Sequence, residues 1–202
     1  RPDVIKAFAD AGGGKATYWP GASGWASTNF WLIKFKSYGL KDWEATIVDD
    51  QVFRAKLDAD YKKQAPLLMY CWEPEWMTLA YDLVKLEEPP FDGFSADNQK
   101  DHPLYKADGC YKMYQPKDRP DWLEASSITC ANPANEVWVA YSASLEKRNP
   151  KVAKFLSQVR FDTADVGGWI MAIGRDKKDP QDVAEAWIAA NKAKVDAWLA
   201  GI

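Results

Sequence analysis

Long hydrophobic runs are absent from this sequence. No stretch approaches the roughly 18 consecutive apolar residues that a membrane-spanning helix requires. The chain opens with Arg1-Pro2-Asp3, without the basic and then apolar pattern of a signal peptide. We therefore expect no direct insertion into a membrane, and either a mature or trimmed chain or a cytosolic one.

An excess of positive charge is also lacking. The 26 Lys and Arg residues are outnumbered by 29 Asp and Glu residues, which gives a formal net charge of −3. A protein that binds nucleic acid or an anionic membrane usually carries a basic patch, and no Lys/Arg cluster is present here. The sequence therefore argues against nucleic acid and membrane surfaces as primary partners.

Histidine and cysteine are scarce, with one His and three Cys. Zinc sites and nucleophilic triads need these residues in set arrangements, so we expect no metal, no cofactor and no such catalysis. Cys71 lies in an apolar run and is interpreted as a core residue. A disulfide between Cys110 and Cys130 would close a loop of about 20 residues and contribute roughly 3 kcal/mol. Buried free thiols fit the sequence equally well.

Aromatic residues are abundant: the chain has 11 Trp, 9 Tyr and 8 Phe. Each buried indole needs a partner for its N–H group, and one core does not require so many. We expect most of these rings to lie in the core and some to face a ligand.

The first half of the sequence alternates between strand-like and helix-like patterns, which is typical of α/β proteins. The predicted strands cover residues 16–19, 44–48 and 67–71, and the predicted helices cover 28–38 and 50–63. Residues 89–133 are rich in Pro, Asp and Gly and predict a loop-rich insertion. After it we expect a strand over 136–142, a helix after Asn149-Pro150, a helix over 166–173 and a helix after Asp179-Pro180.

Small residues surround a single Trp directly after the first predicted strand, in the run Pro20-Gly21-Ala22-Ser23-Gly24-Trp25-Ala26-Ser27. In an open α/β sheet, ligands bind outside the carboxyl ends of the strands, and the start of a helix offers free N–H groups to an anion. Trp25 is therefore either presented to a ligand or folded back against the helix start. Its spacing fits both.

A second aromatic motif, Tyr70-Cys71-Trp72-Glu73-Pro74-Glu75-Trp76, follows the third predicted strand. Its rings would lie at the same sheet edge as Trp25, and a methylated ammonium gains about 0.5–2 kcal/mol from each ring that it contacts. The motif therefore predicts an aromatic cage. Glu73 and Glu75 also have a simpler interpretation, because acidic residues in the first turn of a helix stabilise its dipole.

Together with Asp82-Leu83-Val84-Lys85-Leu86-Glu87 and the tail motifs Lys147-Arg148-Asn149-Pro150 and Ala186-Trp187-Ile188-Ala189-Ala190-Asn191, these runs resemble a known family. It comprises the periplasmic substrate-binding proteins of ABC importers for glycine betaine, proline betaine and choline, and the resemblance covers nearly the whole chain. It implies an α/β fold with the two-lobe architecture of type II periplasmic binding proteins. The implied domains are a crossover segment (1–13), a second lobe (14–132) that includes the loop-rich insertion (89–132), and the C-terminal part of the first lobe (133–202). The N-terminal part of the first lobe would be missing through truncation, proteolysis or its presence on a second chain.

The resemblance also implies roles for individual residues. Trp25 and Trp72 would supply rings to the cage, and the N–H groups of Ala26 and Ser27 would hold a ligand carboxylate. Many members have Gly-Trp-Gly-Cys where this chain has Ala26 and Ser27. Some betaine binders have His in place of Glu75, and an acidic group suits a cation without a carboxylate, so choline and trimethylamine N-oxide stay open beside glycine betaine. The candidates for the ring that completes the cage are Tyr18, Tyr70, Trp76 and Trp138.

The implied function is that of a non-enzymatic extracytoplasmic receptor, which delivers a methylated ammonium solute to the membrane permease of an ABC importer. The alternative is a carbohydrate-active enzyme or sugar-binding module, in which Trp rings stack on sugars and a carboxylate pair supplies acid and base. Glu73 and Glu75 are too close in sequence to flank a glycosidic bond, and His102 lies in an irregular loop. An interaction module with exposed Trp residues is a third hypothesis, but it does not explain why both motifs follow strands.

Overall fold

A computed structural model describes residues 1–134 and 137–202. The chain divides into two compact units. The first unit consists of Arg1–Tyr70 and Lys85–Pro133, and the second unit consists of Cys71–Val84 and Ala134–Ile202.

The helices of the described residues are short. In chain order they are α1 (Pro2–Ala11), α2 (Ala26–Ser37), α3 (Asp50–Lys62), α4 (Met77–Ala80), α5 (Trp122–Ala125), α6 (Leu145–Arg148), α7 (Pro150–Gln158), α8 (Thr163–Ile170), α9 (Pro180–Ala190) and α10 (Lys192–Trp198). The strands are β1 (Ala16–Tyr18), β2 (Trp43–Ala45), β3 (Tyr111–Lys112) and β4 (Ser127–Ile128). Among these residues, no helix is long and apolar enough to cross a membrane.

A parallel sheet organises the first unit. Strands β1 and β2 pair with Thr17 opposite Glu44, and a single parallel bridge joins Trp19 to Met69. The strand predicted over 67–71 is therefore reduced to one bridge. It starts after Pro66, which has no N–H to donate, and the chain enters the second unit after Tyr70.

Local capping signals place most helix ends within two or three residues of their predicted positions. The Asp49 carboxylate accepts from the N–H of Gln51 at 2.9 Å, and Asn149 and Asp179 cap α7 and α9, each with Pro at the first helical position. The helix predicted after Asp179-Pro180 is divided at Asn191, whose side chain donates to the Trp187 carbonyl at 2.9 Å. Helix α1 was not predicted from the sequence.

The loop-rich insertion is held together by a disulfide and a small apolar cluster. Cys110 and Cys130 are bridged, with their Cα atoms 5.9 Å apart. Cys130 packs with Ile33, Tyr111 and Ile128, so helix α2 and the antiparallel pair of β3 and β4 share one core. The question that the sequence left open is thus answered in favour of the bridge.

Four aromatic rings form a cluster in the second unit, of which Trp198 is buried. Trp187 stacks on Trp198 at 5.6 Å between ring centroids, and Phe161 and Trp169 pack edge-on against them. The Asp165 carboxylate accepts from the Trp187 indole N–H and from Lys194, both at 2.9 Å. The predicted 166–173 helix is α8, shifted by three residues and followed by a π-helical turn, Met171–Arg175.

The strand predicted over residues 136–142 is wrong where it can be checked. Residues 137–142 have neither helix nor strand structure, and Glu136 lies outside the described residues. Val137 and Trp138 are 89% and 75% exposed. A strand needs a neighbour to accept its backbone hydrogen bonds, and no described strand pairs with this segment.

Candidate functional site

Trp25 lies directly before helix α2, at the carboxyl end of β1. Its backbone is extended (φ −77°, ψ 141°), and its N–H donates to the Ala22 carbonyl at 3.2 Å. The half-buried indole ring meets the Trp19 ring edge-on, with 5.9 Å between the centroids. The sheet edge thus carries a Trp ring beside the start of a helix, as the sequence predicted for this loop.

Trp19 connects Trp25 with Tyr70. It is 2% exposed, stacks on Phe53 at 3.9 Å and donates its indole N–H to the Val48 carbonyl at 3.2 Å. Its carbonyl accepts from the N–H of Tyr70 at 2.8 Å. Sequence reasoning missed this residue, although its position at the strand end before Pro20 was a usable signal.

The N-terminus of α2 presents backbone N–H donors. The first turn has no acidic residue, and the Trp25 side chain makes no capping hydrogen bond. Ala26 is exposed and Ser27 is buried. Because the first N–H groups of a helix have no intrahelical acceptor, those of Ala26 and Ser27 present partial positive charge to an anion.

Gly21 allows the loop to pack against this helix start. Its φ of +129° is a conformation that residues with a side chain rarely adopt. A Cβ atom there would lie 2.7 Å from the Ser27 hydroxyl oxygen and 2.8 Å from that of Thr28. Close approach of the loop to α2 therefore depends on glycine.

Tyr70 is the last residue of the first unit before the chain crosses over. Its half-buried ring meets Phe30 edge-on at 5.6 Å and lies 6.3 Å from Trp31. Both of these partners project from α2. Tyr70 is thus held against α2 by ring contacts, and Trp25 directly precedes the same helix in the chain.

Tyr18 and Trp138, two further candidates for the ring that completes the cage, have different environments. Tyr18 is buried and stacks on Phe35 at 3.5 Å, and burial raises the pKa of its phenol. Trp138 lies exposed in the irregular segment of the second unit.

In the second unit, Trp72, Glu75 and Trp76 occupy the turn that leads into α4. Trp72 and Trp76 are half-buried, whereas Glu75 is only 5% exposed. The Glu75 carboxylate accepts from the N–H of Trp76 at 2.8 Å, and its carbonyl accepts from the Thr78 hydroxyl at 2.9 Å. Glu75 thus hydrogen-bonds within its own turn, one residue before the N-cap Trp76, and the first turn of α4 contains no acidic residue, so the simpler interpretation of Glu73 and Glu75 as first-turn residues is not met.

Trp76 has a cation beside it. The Arg175 guanidinium carbon lies 5.2 Å from the centroid of the Trp76 ring and 5.7 Å from that of Tyr81. Sequence reasoning missed Arg175 and Tyr81, because no local pattern links the turn before α4 to the turn after α8. In the described part of the chain, no group of three or more His, Cys, Asp or Glu residues is arranged to hold a metal ion.

A family model covers almost the whole chain. Residues 3–190 match the model described as the substrate-binding domain of the ABC-type glycine betaine transport system, OpuAC. The chain belongs to this OpuAC family. The resemblance noted in the sequence is therefore confirmed.

A curated relative and two solved structures agree with the family assignment. The glycine betaine/proline betaine-binding periplasmic protein of Salmonella typhimurium (strain LT2) is 23% identical over 206 residues, which cover 98% of this chain and 56% of that protein. Lactococcal OpuAC in complex with glycine betaine has a TM-score of 0.54 and 21% identity, over 91% of this chain and 57% of that one. An ABC-transporter choline-binding protein in complex with choline has a TM-score of 0.52 and 19% identity, over 98% and 56% of the two chains.

The likeness in structure confirms the predicted fold class, an α/β chain of the type II periplasmic binding-protein architecture. This OpuAC-family chain spans only about 56% of the length of the Salmonella relative that it matches.

Proposed function

We propose that this chain is the ligand-binding part of an extracytoplasmic solute receptor for ABC import. Its ligand would be a quaternary ammonium or related compatible solute of the glycine betaine, choline or trimethylamine N-oxide type. The observation that carries this proposal is the position of Trp25 directly before the N-terminus of α2. A ring face that attracts a methylated cation thereby lies next to N–H donors that attract an anion.

The family and its relatives support the same ligand class. The matched model is named for glycine betaine transport, and the two solved structures contain glycine betaine and choline. We propose as ligand contacts Trp25, Ala26, Ser27 and Tyr70 in the first unit, and Trp72, Glu75 and Trp76 in the second. Each aromatic ring would contribute about 0.5–2 kcal/mol, and more where water is excluded.

The proposed activity requires binding alone. The family consists of substrate-binding receptors, and the chemistry described here, desolvation of a cation between rings, makes and breaks no covalent bond. We therefore propose that the chain is not an enzyme. Its partner would be the membrane permease of an ABC importer, and its location would be periplasmic or otherwise extracytoplasmic, in line with the curated relative.

The domain assignment also stays a proposal. We propose that residues 14–132, apart from Cys71–Val84, which belong to the second compact unit, correspond to the second lobe of the family. Residues 133–202 would be the C-terminal part of the first lobe, and residues 1–13 the crossover segment.

Calorimetric titration with glycine betaine, choline, trimethylamine N-oxide and a neutral sugar tests the proposed function. We expect saturable binding of at least one methylated ammonium or N-oxide and none of the sugar. Trp25→Ala and Trp72→Ala should each weaken binding about tenfold, since each removes one ring.

Trp43→Ala is the matched control. Trp43 is half-buried in the same unit as Trp25, but it lies at the start of β2, at the opposite end of the sheet. Its loss should lower stability and leave affinity unchanged. Binding of the sugar alone would instead support the carbohydrate alternative and refute the proposal.

A further inference from the structure

The ring pair formed by Trp76 and Tyr81 holds a cation that belongs to the protein itself. The two rings are 5.9 Å apart, on either side of α4, and the Arg175 guanidinium lies within 6 Å of both centroids. All three residues belong to the second unit. The rings thereby hold the positive charge of Arg175 beside the turn that contains Trp72 and Glu75.

This guanidinium has no carboxylate partner in the part of the chain that the structure describes. The ion pairs found there include Arg1 with Asp3, Arg54 with Asp50 and Arg119 with Asp121, and none of them involves Arg175. Arg160, which is in the same unit, donates to the carbonyls of Ser157 and Val159 at 2.9 and 2.6 Å. No such hydrogen bond is made by Arg175 within the described residues.

A guanidinium carries five N–H donors in one plane, a geometry that matches both oxygens of a carboxylate. Attraction to the faces of aromatic rings stabilises the cation without using these donors. Arg175 is exposed, so its donors are open to an anion from solution. Arg175 is therefore held in place with its N–H donors available to a carboxylate, next to a motif that is proposed to bind the ligand.

We propose that Arg175 binds the acidic group of the ligand, and that the ligand is consequently a zwitterion, a methylated ammonium carboxylate, rather than a simple cation such as choline. This inference rests on the proposed function and narrows its ligand class. Glu75 does not oppose it, because the Glu75 carboxylate is buried and already accepts the N–H of Trp76. Arg175 is thus a specificity-determining residue.

Calorimetric affinities for glycine betaine and choline test the inference on the unaltered protein and on Arg175→Gln and Arg175→Lys. Glutamine keeps part of the aliphatic side chain beside Trp76 but loses the charge, whereas lysine keeps the charge and loses the planar pair of N–H donors. Arg175→Gln should weaken glycine betaine about 10- to 100-fold, the usual value of a charge-assisted pair, and should change choline less than about threefold. The affinity of Arg175→Lys for glycine betaine should lie between those of the unaltered protein and Arg175→Gln. Arg160→Gln changes the net charge equally and should affect neither ligand.

The outcomes separate this inference from the proposed function. If neither solute binds the unaltered protein, then the inference fails, and the proposed function fails with it unless trimethylamine N-oxide binds. If the unaltered protein prefers choline, or if Arg175→Gln weakens both ligands equally or neither, then the inference is wrong and the proposed function stands. If Arg175→Gln tightens choline binding, Arg175 is an internal competitor for the rings, which also overturns the inference. An unchanged circular dichroism spectrum shows that each variant is folded.

Discussion

The Nζ atom of Lys34 lies 2.7 and 2.8 Å from the two carboxylate oxygens of Glu88, with none of the Lys34 side chain exposed. The Tyr38 hydroxyl donates to the same carboxylate at 3.0 Å, and the Trp31 ring lies 4.7 Å from the ammonium. Burial lowers the pKa of Lys34, and the neighbouring Glu88 opposes that shift. Since Glu88 follows the return of the chain from the second unit, this pair fixes the returning segment to α2, the helix that begins beside Trp25.

Removing either partner of this pair should lower the free energy of unfolding, and the two losses should differ. Lys34→Met should lower the free energy of unfolding by roughly 3 kcal/mol. Glu88→Leu should lower it by more, because it leaves the charge of Lys34 unpaired with none of its side chain exposed, whereas Glu88 keeps 19% of its side chain exposed. Urea unfolding followed by Trp fluorescence measures both. The double variant should be more stable than the sum of the single losses predicts. Losses below about 0.5 kcal/mol would show that the pair behaves like a solvated surface pair.

Ala26→Pro tests the N–H donors of α2 at an exposed position. Proline is well tolerated at the first helical position, and the extended backbone of Trp25 suits the residue before a proline. The variant should fold normally and lack one donor. We expect glycine betaine affinity to fall about tenfold and choline affinity to stay constant in calorimetric titrations. Equal affinity for glycine betaine would show that the N–H of Ala26 does not hold its carboxylate.

The disulfide should contribute measurably to the stability of the first unit. Replacing both Cys110 and Cys130 by Ala should lower the free energy of unfolding by about 3 kcal/mol, because the open chain gains entropy when a loop of about 20 residues is released. Reduction of the unaltered protein should reproduce the loss. Cys71→Ala, which removes the cysteine outside the disulfide, is the control and should have a smaller effect. An unchanged urea midpoint after reduction would contradict the expected contribution.

Asp165 should make the stability of the second unit dependent on pH. The Trp187 indole N–H and Lys194 hold the pKa of its carboxyl below the usual 3.8. A group whose pKa is lower in the folded state stabilises the fold above its unfolded pKa, and this stabilisation is lost as the pH falls through the folded value. Asp165→Asn should therefore be less stable than the unaltered protein at pH 7, and the difference should shrink as the pH falls through the folded-state pKa of Asp165.

Chemical unfolding at a series of pH values measures this difference. Asp196→Asn is the matched control, because Asp196 pairs with Lys192 on the exposed surface of α10, where ion pairs contribute about 0–1 kcal/mol. A constant gap between Asp165→Asn and the unaltered protein at all pH values would show that its charge is not involved.

Local sequence determined much of the fold and part of the candidate site. The ends of α7 and α9 follow from Asn149-Pro150 and Asp179-Pro180, because a cap depends only on residues within one helical turn. The same reasoning placed Trp25 between a strand and a helix. The strand predicted over 136–142 failed in its described part because β-propensity does not provide a partner strand.

Tertiary structure alone decided the pairs that join distant segments. The bridge between Cys110 and Cys130, the burial of Lys34 against Glu88, the link from Trp25 through Trp19 to Tyr70, and the position of Arg175 over Trp76 all depend on which segments pack together. Composition and spacing indicated that aromatic rings and charges were available. Which ring meets which charge is set by burial and close packing, since each of these side chains has many possible partners in the sequence and space for only a few in the folded chain.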